Sequence, residues 1–95
     1  MTIAYSKDYL RTLKRITKKH ILSSEVIDNT IALYLADKQD IRLQFKAIKC
    51  KRDKFRHSIR IPNTQYRILM SVKDNVSLLV CICDHDDYDF RNRNC

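Results

Sequence analysis

The hydrophobic period changes midway along this chain, and that change decides the class of fold. Up to Ala36 the apolar residues recur at helical spacing, and beyond Asp37 they alternate with polar ones. Side chains at three- and four-residue spacing share one face of a helix, whereas alternate residues share one face of a strand. Tyr9, Leu10, Leu13 and Ile16 predict a first helix with Ser6 as its N-cap. Lys7, Arg11, Lys14, Arg15, Lys18 and Lys19 fall on its other face. Val26, Ile27, Ile31, Tyr34 and Leu35 predict a second helix from about Glu25 to Ala36, with Ser24 as cap and Glu25 and Asp28 at its positive end. The short link from His20 to Ser23 makes the two an antiparallel helical hairpin. Thr2 to Tyr5 reads as a short strand ahead of them.

In the second half Ile41, Leu43 and Phe45 alternate with polar residues, and a stretch dense in Lys and Arg runs from Lys46 to Lys54. Three strand-like runs follow: Phe55–Ile61, Gln65–Val72 and Val76–Cys83. Pro62-Asn63-Thr64 separates the first two, and Lys73-Asp74-Asn75 separates the last two as a hairpin turn. The order predicts one α+β domain over residues 1–95, with two N-terminal helices packed on an antiparallel sheet.

Composition narrows the function. Nineteen Lys and Arg against eleven Asp and Glu give a net charge of +8. A small body so charged attracts polyanions: nucleic acid first, then an anionic membrane surface, then an acidic protein. Glycine is absent, which excludes Gly-rich phosphate-binding loops. No apolar run approaches membrane-spanning length and no secretory signal opens the chain. The four cysteines (Cys50, Cys81, Cys83, Cys95) form no CxxC pair, and Cys81 and Cys83 stand too close in sequence to bridge comfortably. They read as free thiols of a reduced, cytoplasmic protein. A zinc site from Cys81, Cys83 and His85 lacks a fourth ligand, so no metal is expected.

Strand parity then sorts the charged residues. Phe55, Ile59 and Ile61, with Tyr66, Ile68, Met70 and Val72, fall on one face; Arg56, Arg60 and Arg67 fall on the other. A three-residue loop placing Val72 opposite Val76 brings Val76, Leu78, Val80 and Ile82 to the apolar face, and His85 to the arginine face. His57 falls on the apolar face and reads as a core-edge residue. His20, at a helix C-terminus, suits the dipole there. A face with arginines, a histidine and Tyr88 beyond it suits RNA cleavage. The 2′-hydroxyl attacks the adjacent phosphate, guanidinium groups hold the phosphate as it gains charge, and imidazole serves as base or acid. Tyr88 can donate to an oxygen or stack under a base. The plain alternatives are a binding surface without catalysis, and arginines that simply pair with nearby aspartates.

The element order, His57-Ser58-Ile59-Arg60-Ile61, Gln65-Tyr66-Arg67-Ile68-Leu69 and the ending His85-Asp86-Asp87-Tyr88-Asp89-Phe90 resemble the RelE/ParE toxin superfamily. Phe45-Lys46-Ala47-Ile48 before a charged loop and the closing His-x-x-Tyr-Asp are similar to its HigB-like branch. The resemblance spans nearly the whole chain. It implies a toxin of a type II toxin–antitoxin module: a messenger-RNA endonuclease that needs no metal or other cofactor, acts with the ribosome, and is silenced by an antitoxin protein. It assigns Arg60 and Arg67 to phosphate binding and His85 and Tyr88 to the catalytic C-terminal pair. It assigns the basic loop, with Lys46, Lys49, Lys51, Arg52 and Lys54, to RNA contact, and Arg56 adjoins it on the arginine face. The ParE-like branch, which poisons gyrase, lacks the catalytic ending. Two departures stand out. Ile61-Pro62-Asn63-Thr64 replaces a segment that often holds glycine, and Asp84, Asp86, Asp87 and Asp89 surround His85. Such carboxylates favour a protonated imidazole, which suits a general acid and leaves the base to Lys54 or water.

Overall fold

The computed structural model describes residues 1–95. Strand β1 (Thr2–Tyr5) precedes helices α1 (Lys7–Lys18) and α2 (Ser24–Ala36) and a short 3-10 turn (Ile41–Leu43). Strands β2 (Lys46–Ala47), β3 (Arg56–Arg60), β4 (Arg67–Lys73) and β5 (Val76–Cys83) follow, then helix α3 (His85–Arg93). The five strands form one sheet in the order β1-β5-β4-β3-β2. β1 runs parallel to β5, and the other pairs are antiparallel. The α+β expectation holds.

Ser6 caps α1 as predicted, accepting from the Tyr9 N–H at 3.0 Å. α2 starts one residue earlier than expected, because Ser23 and not Ser24 accepts the Val26 N–H. Tyr9 and Ile16 from α1 and Ile27 and Tyr34 from α2 join Ile59, Ile61, Ile68, Met70, Leu79 and Ile82 in one buried cluster. Leu10, Val26 and Leu35 stand exposed instead, and Thr12 and Thr30 take buried places on the two helices. The reason is local: both threonine hydroxyls donate to carbonyls of their own helix, Thr12 to Tyr9 and Thr30 to Val26. That bonding removes the penalty of burying them. The alternation of Ile41, Leu43 and Phe45 does not make a strand. The Asp40 carboxylate accepts from the Arg42 N–H at 2.9 Å, and this local bond starts the 3-10 turn and leaves Ile41 88% exposed.

The last hairpin corrects the expected register. Lys73 pairs with Val76, so the loop is the two residues Asp74-Asn75, both at positive φ. Two such residues suit the primed turn whose twist matches a hairpin. That register puts Ser77 and Leu79 on the core face and leaves Val76 and Leu78 exposed. A bulge then intervenes: Met70 pairs with Leu79 but Leu69 pairs with Cys81, leaving Val80 unpaired. One extra residue restores the expected parity, so Ile82 faces the core beside Ile68 while Cys81 and Cys83 face the other side with Leu69. Two departures from the expected hairpin cancel, and the site face is reached all the same. α1 satisfies backbone groups around the bulge: Ser6 Oγ donates to the Val80 carbonyl at 2.9 Å, and the Ile82 N–H donates to Thr12 Oγ1 at 3.1 Å.

α3 was not expected. It begins on an Asp84 cap that accepts the Asp87 N–H at 2.8 Å, with Asp86 and Asp87 in the first turn and Arg91 and Arg93 in the last. Those charges match the helix dipole. Only Tyr88 is buried, against Leu69, Cys81 and Cys83, with Ile48 and Val80 around them. The reading of free thiols is overturned. Cys50 is bonded to Cys95, Cys81 to Cys83, and no cysteine is free. The pleat sets Cys81 and Cys83 on one face with Cα atoms 6.0 Å apart, within the range a disulfide spans. No helix is long and apolar enough to cross a membrane.

Candidate nucleic-acid site

The face of the sheet opposite α1 and α2 carries the charged constellation. Arg60 and Arg67 lie directly opposite each other in the β3–β4 ladder. Together with Thr64, Gln65 and His85 they line a cleft of about 340 Å³ with no hydrophobic residue in its wall. The α3 N-terminus delivers His85 to its edge. Like charges directly opposite in a sheet repel, and neither arginine has a carboxylate partner to relieve it. Each is held by neutral oxygen instead. Arg60 Nε donates to the Thr64 carbonyl at 3.0 Å, and Arg67 Nη2 donates to Gln44 Oε1 at 3.1 Å. Positive charge is thus concentrated and left uncompensated. The alternative in which these arginines pair with aspartates does not describe this molecule.

The connection from Ile61 to Tyr66 is built to hold that carbonyl in place. Thr64 Oγ1 donates to the Ile61 carbonyl at 2.7 Å and accepts the Tyr66 N–H at 3.0 Å. Asn63 takes φ 64°, supplying the left-handed residue that glycine would otherwise supply. The departure at Ile61-Pro62-Asn63-Thr64 therefore has a backbone solution.

Of the four surrounding aspartates, three have defined partners. Asp84 caps α3, Asp87 accepts from Arg91 Nε at 3.2 Å, and Asp89 faces His85 Nε2 at 3.3 Å. Asp84 and Asp86 line a shallow depression on the other side of His85, with Gln65 and Tyr66. His85 is well exposed and separates the cationic cleft from this acidic ground.

Tyr88 is positioned differently from the other candidates. Its residue is only 7% exposed, and its hydroxyl shares a buried hydrogen bond of 3.0 Å with Ser58 Oγ. The cleft wall does not include it. Its ring instead supports two cations, the Arg67 guanidinium at 5.3 Å and the Lys46 ammonium at 5.9 Å from the centroid. Contacts of this kind fall within cation–π range.

The basic loop divides. Lys46, Lys49, Lys51, Arg52 and Lys54 are exposed and make no ion pair. Arg56 is not free: Asp53 accepts from its Nε at 3.2 Å, and the pair is largely buried. Asp53 also accepts from the Phe55 N–H and Ser71 Oγ. Arg56 is therefore a structural partner of the loop and not an available phosphate ligand. His57 stacks on Phe45 with centroids 5.0 Å apart, as expected of a core-edge histidine. No group of three or more metal-ligating residues is assembled anywhere in the chain.

Sequence reasoning did not identify Gln44, Thr64 or Gln65 as site residues. Strand parity sets Ser58 on the face of Arg56 and Arg60, but only the fold brings Gln44 to Arg67 and Ser58 to the Tyr88 hydroxyl.

No family model and no curated protein matches the sequence. Solved structures do match its fold. One is YafQ from E. coli, at TM-score 0.71 and 10% identity, covering 88% of this chain and 92% of that one. Another is the E. coli DinJ–YafQ toxin–antitoxin complex, at TM-score 0.72 and 13% identity over 88% of this chain and 91% of that one. A third is a metal-bound toxin from Helicobacter pylori, at TM-score 0.72 and 18% identity over 90% and 96% of the two chains. With two helices on one side of a five-stranded, mostly antiparallel sheet, this chain has the RelE/YafQ-type toxin fold.

Proposed function

We propose that this protein is the toxin of a type II toxin–antitoxin pair, an endoribonuclease that cleaves messenger RNA on the ribosome. The observation that carries the reading is the cleft: two arginines face each other without a carboxylate partner, and a histidine stands at the edge. A diester phosphate fits there. Arg60 and Arg67 hold its non-bridging oxygens and stabilise the charge gained as the 2′-hydroxyl attacks. The bond from phosphorus to the 5′-oxygen breaks, and His85 delivers a proton to that leaving oxygen. Asp89, at 3.3 Å, is the counter-charge for the protonated ring. Water or Lys54 takes the proton of the 2′-hydroxyl. The guanidinium and imidazole groups supply the charge stabilisation and proton transfer of this route, so the reading assigns no metal to it. Lys46, Lys49, Lys51, Arg52 and Lys54 follow the RNA backbone away from the cleft. Tyr88 serves through its ring. An antitoxin as partner follows from the likeness to a toxin–antitoxin complex, and the closing His85-x-x-Tyr88-Asp89 favours the HigB-like branch.

The test is cleavage of message on translating ribosomes with the RNA ends mapped. Wild type is expected to cut, and His85→Ala to lose on the order of 10²–10⁴ in rate. Arg67→Ala is expected to lose both rate and RNA affinity. Intact message with wild type overturns the nuclease reading, and gyrase-linked breaks in supercoiled DNA would move the protein to the gyrase-poisoning branch.

A further inference from the structure

We propose that Gln44 is a positioning residue: together with the Tyr88 ring, it aims the Arg67 guanidinium into the cleft without cancelling its charge. The proposal rests on the reading that the cleft holds an RNA phosphate.

Arg67 faces Arg60 across the ladder, so repulsion pushes the two side chains apart. A free arginine in that position turns toward solvent. Here one terminal nitrogen donates to Gln44 Oε1 at 3.1 Å, and the guanidinium carbon lies over the Tyr88 ring, 5.3 Å from its centroid. The other terminal nitrogen is buried and has no acceptor. The Tyr88 ring is itself fixed, since its hydroxyl bonds Ser58 inside the protein. The guanidinium is therefore held at two places, by the Gln44 hydrogen bond and by the Tyr88 ring beneath its carbon, and a group held at two places keeps its direction.

Gln44 reaches Arg67 from 23 residues away at the cost of an unusual backbone. It ends the 3-10 turn in the left-handed region, at φ 49° and ψ 46°. Such conformations persist in residues other than glycine only where the surroundings impose them. The side-chain type matters as much as the reach. A carboxylate at this place makes a stronger hydrogen bond to arginine, but it also neutralises the charge that binds phosphate. An amide oxygen gives direction and leaves the charge.

That difference supplies the test. Gln44→Ala, Gln44→Glu and Tyr88→Phe are compared with wild type. The readouts are cleavage kinetics, binding of a 2′-O-methyl RNA oligonucleotide that cannot be cut, and NMR relaxation of the Arg67 side chain. Gln44→Ala is expected to leave the thermal midpoint near wild type, lower kcat about 10-fold, and raise the mobility of the Arg67 Nε–H, in keeping with a lost hydrogen bond to a charged group. Gln44→Glu is expected to keep Arg67 rigid yet weaken RNA binding about 10-fold or more, and to lower the slope of log Kd against log salt by about 0.7, the value of one phosphate contact on a single strand. Tyr88→Phe keeps the ring but removes the hydroxyl that anchors it to Ser58, and is expected to raise the mobility of the Arg67 Nε–H less than Gln44→Ala does. Wild-type kinetics, affinity and Arg67 mobility in Gln44→Ala would overturn the proposal, as would unchanged binding in Gln44→Glu. The mobility measurement needs no substrate, so a wild type that fails to cleave sinks the nuclease reading while the positioning claim is still decided.

Discussion

Asp8 holds two arginines at once. One carboxylate oxygen accepts from Arg11, and the other accepts from Arg91 Nη1 on α3 at 2.8 Å. Burial alone pushes the Asp8 carboxyl up, but the hydrogen bonds from Arg11 and Arg91 outweigh it and hold the group below its ordinary value. Asp53 behaves alike: burial raises it, and the bonds from the Phe55 N–H, Arg56 and Ser71 lower it further than burial raises it. Asp40 is drawn to about 2 by its side-chain bond with Arg42. The sign follows from linkage. A carboxyl with a depressed folded value stabilises the fold above its unfolded value, about 3.9 for aspartate, and loses that contribution as the pH falls through the folded value. Urea midpoints are therefore expected to hold above about pH 4 and drop below it. The Asp8→Asn, Asp53→Asn double variant is expected to be less stable at neutral pH and to show a shallower acid limb. An acid limb identical to wild type would count against these two residues as its source.

At the scale of elements, α1 ends in a way usually reserved for glycine. His20 lies at φ 56°, its N–H bonds the Thr17 carbonyl, and the Ile21 N–H bonds the Ile16 carbonyl. These are the two hydrogen bonds of a Schellman cap. The dipole reading of His20 thus names the right end of the helix but misses the backbone role. Because a side chain strains the left-handed region, His20→Gly is expected to stabilise the protein by about 0.5–1 kcal/mol, read as a shift in urea midpoint at constant slope. The same glycine-free economy hides other features. The paired helices and the three meander strands are legible because each buries a periodic face. α3 is not, because nine residues with one buried side chain carry no period; its signals were the Asp84 cap and the acid-to-base order of its charges. The bulge at Val80 leaves no mark in composition, and it is why a wrong loop length still led to the right face for His85. Arg60, Arg67 and His85 could be grouped by parity alone. The burial of Tyr88 could not, since it depends on Ser58 and Leu69, distant in sequence, and the pairing of Arg56 with Asp53 three residues earlier is local but invisible to parity, which sorts faces and not partners.

For the whole molecule, the Cys50–Cys95 bond ties the residue beyond α3 to the basic loop between β2 and β3, across 45 residues. α3 carries His85 and buries a single side chain, so this bond is a main restraint on its far end. Closing a loop of that length in the unfolded chain is worth about 4 kcal/mol in the chain-entropy account. Oxidised protein is expected to unfold at clearly higher urea than protein kept in reductant, and oxidised Cys95→Ser, which keeps only the Cys81–Cys83 bond, is expected to unfold at clearly lower urea than oxidised wild type. Equal midpoints for oxidised and reduced wild type would show that the bond contributes nothing.

The parallel pairing of β1 with β5 sets the order in which the molecule can assemble. Thr2 meets Val76 and Tyr5 meets Leu79, so the first strand must wait for nearly the last to exist. Until then β1 has no partner, and β4 keeps open the edge that β5 will take; an open edge is a template for pairing with another chain. During synthesis the first strand therefore stays unpaired until almost the whole chain has been made. The pairing of β1 with β5, with the hydroxyls of Ser6 and Thr12 on the Val80 carbonyl and the Ile82 N–H, is what finally seals the sheet.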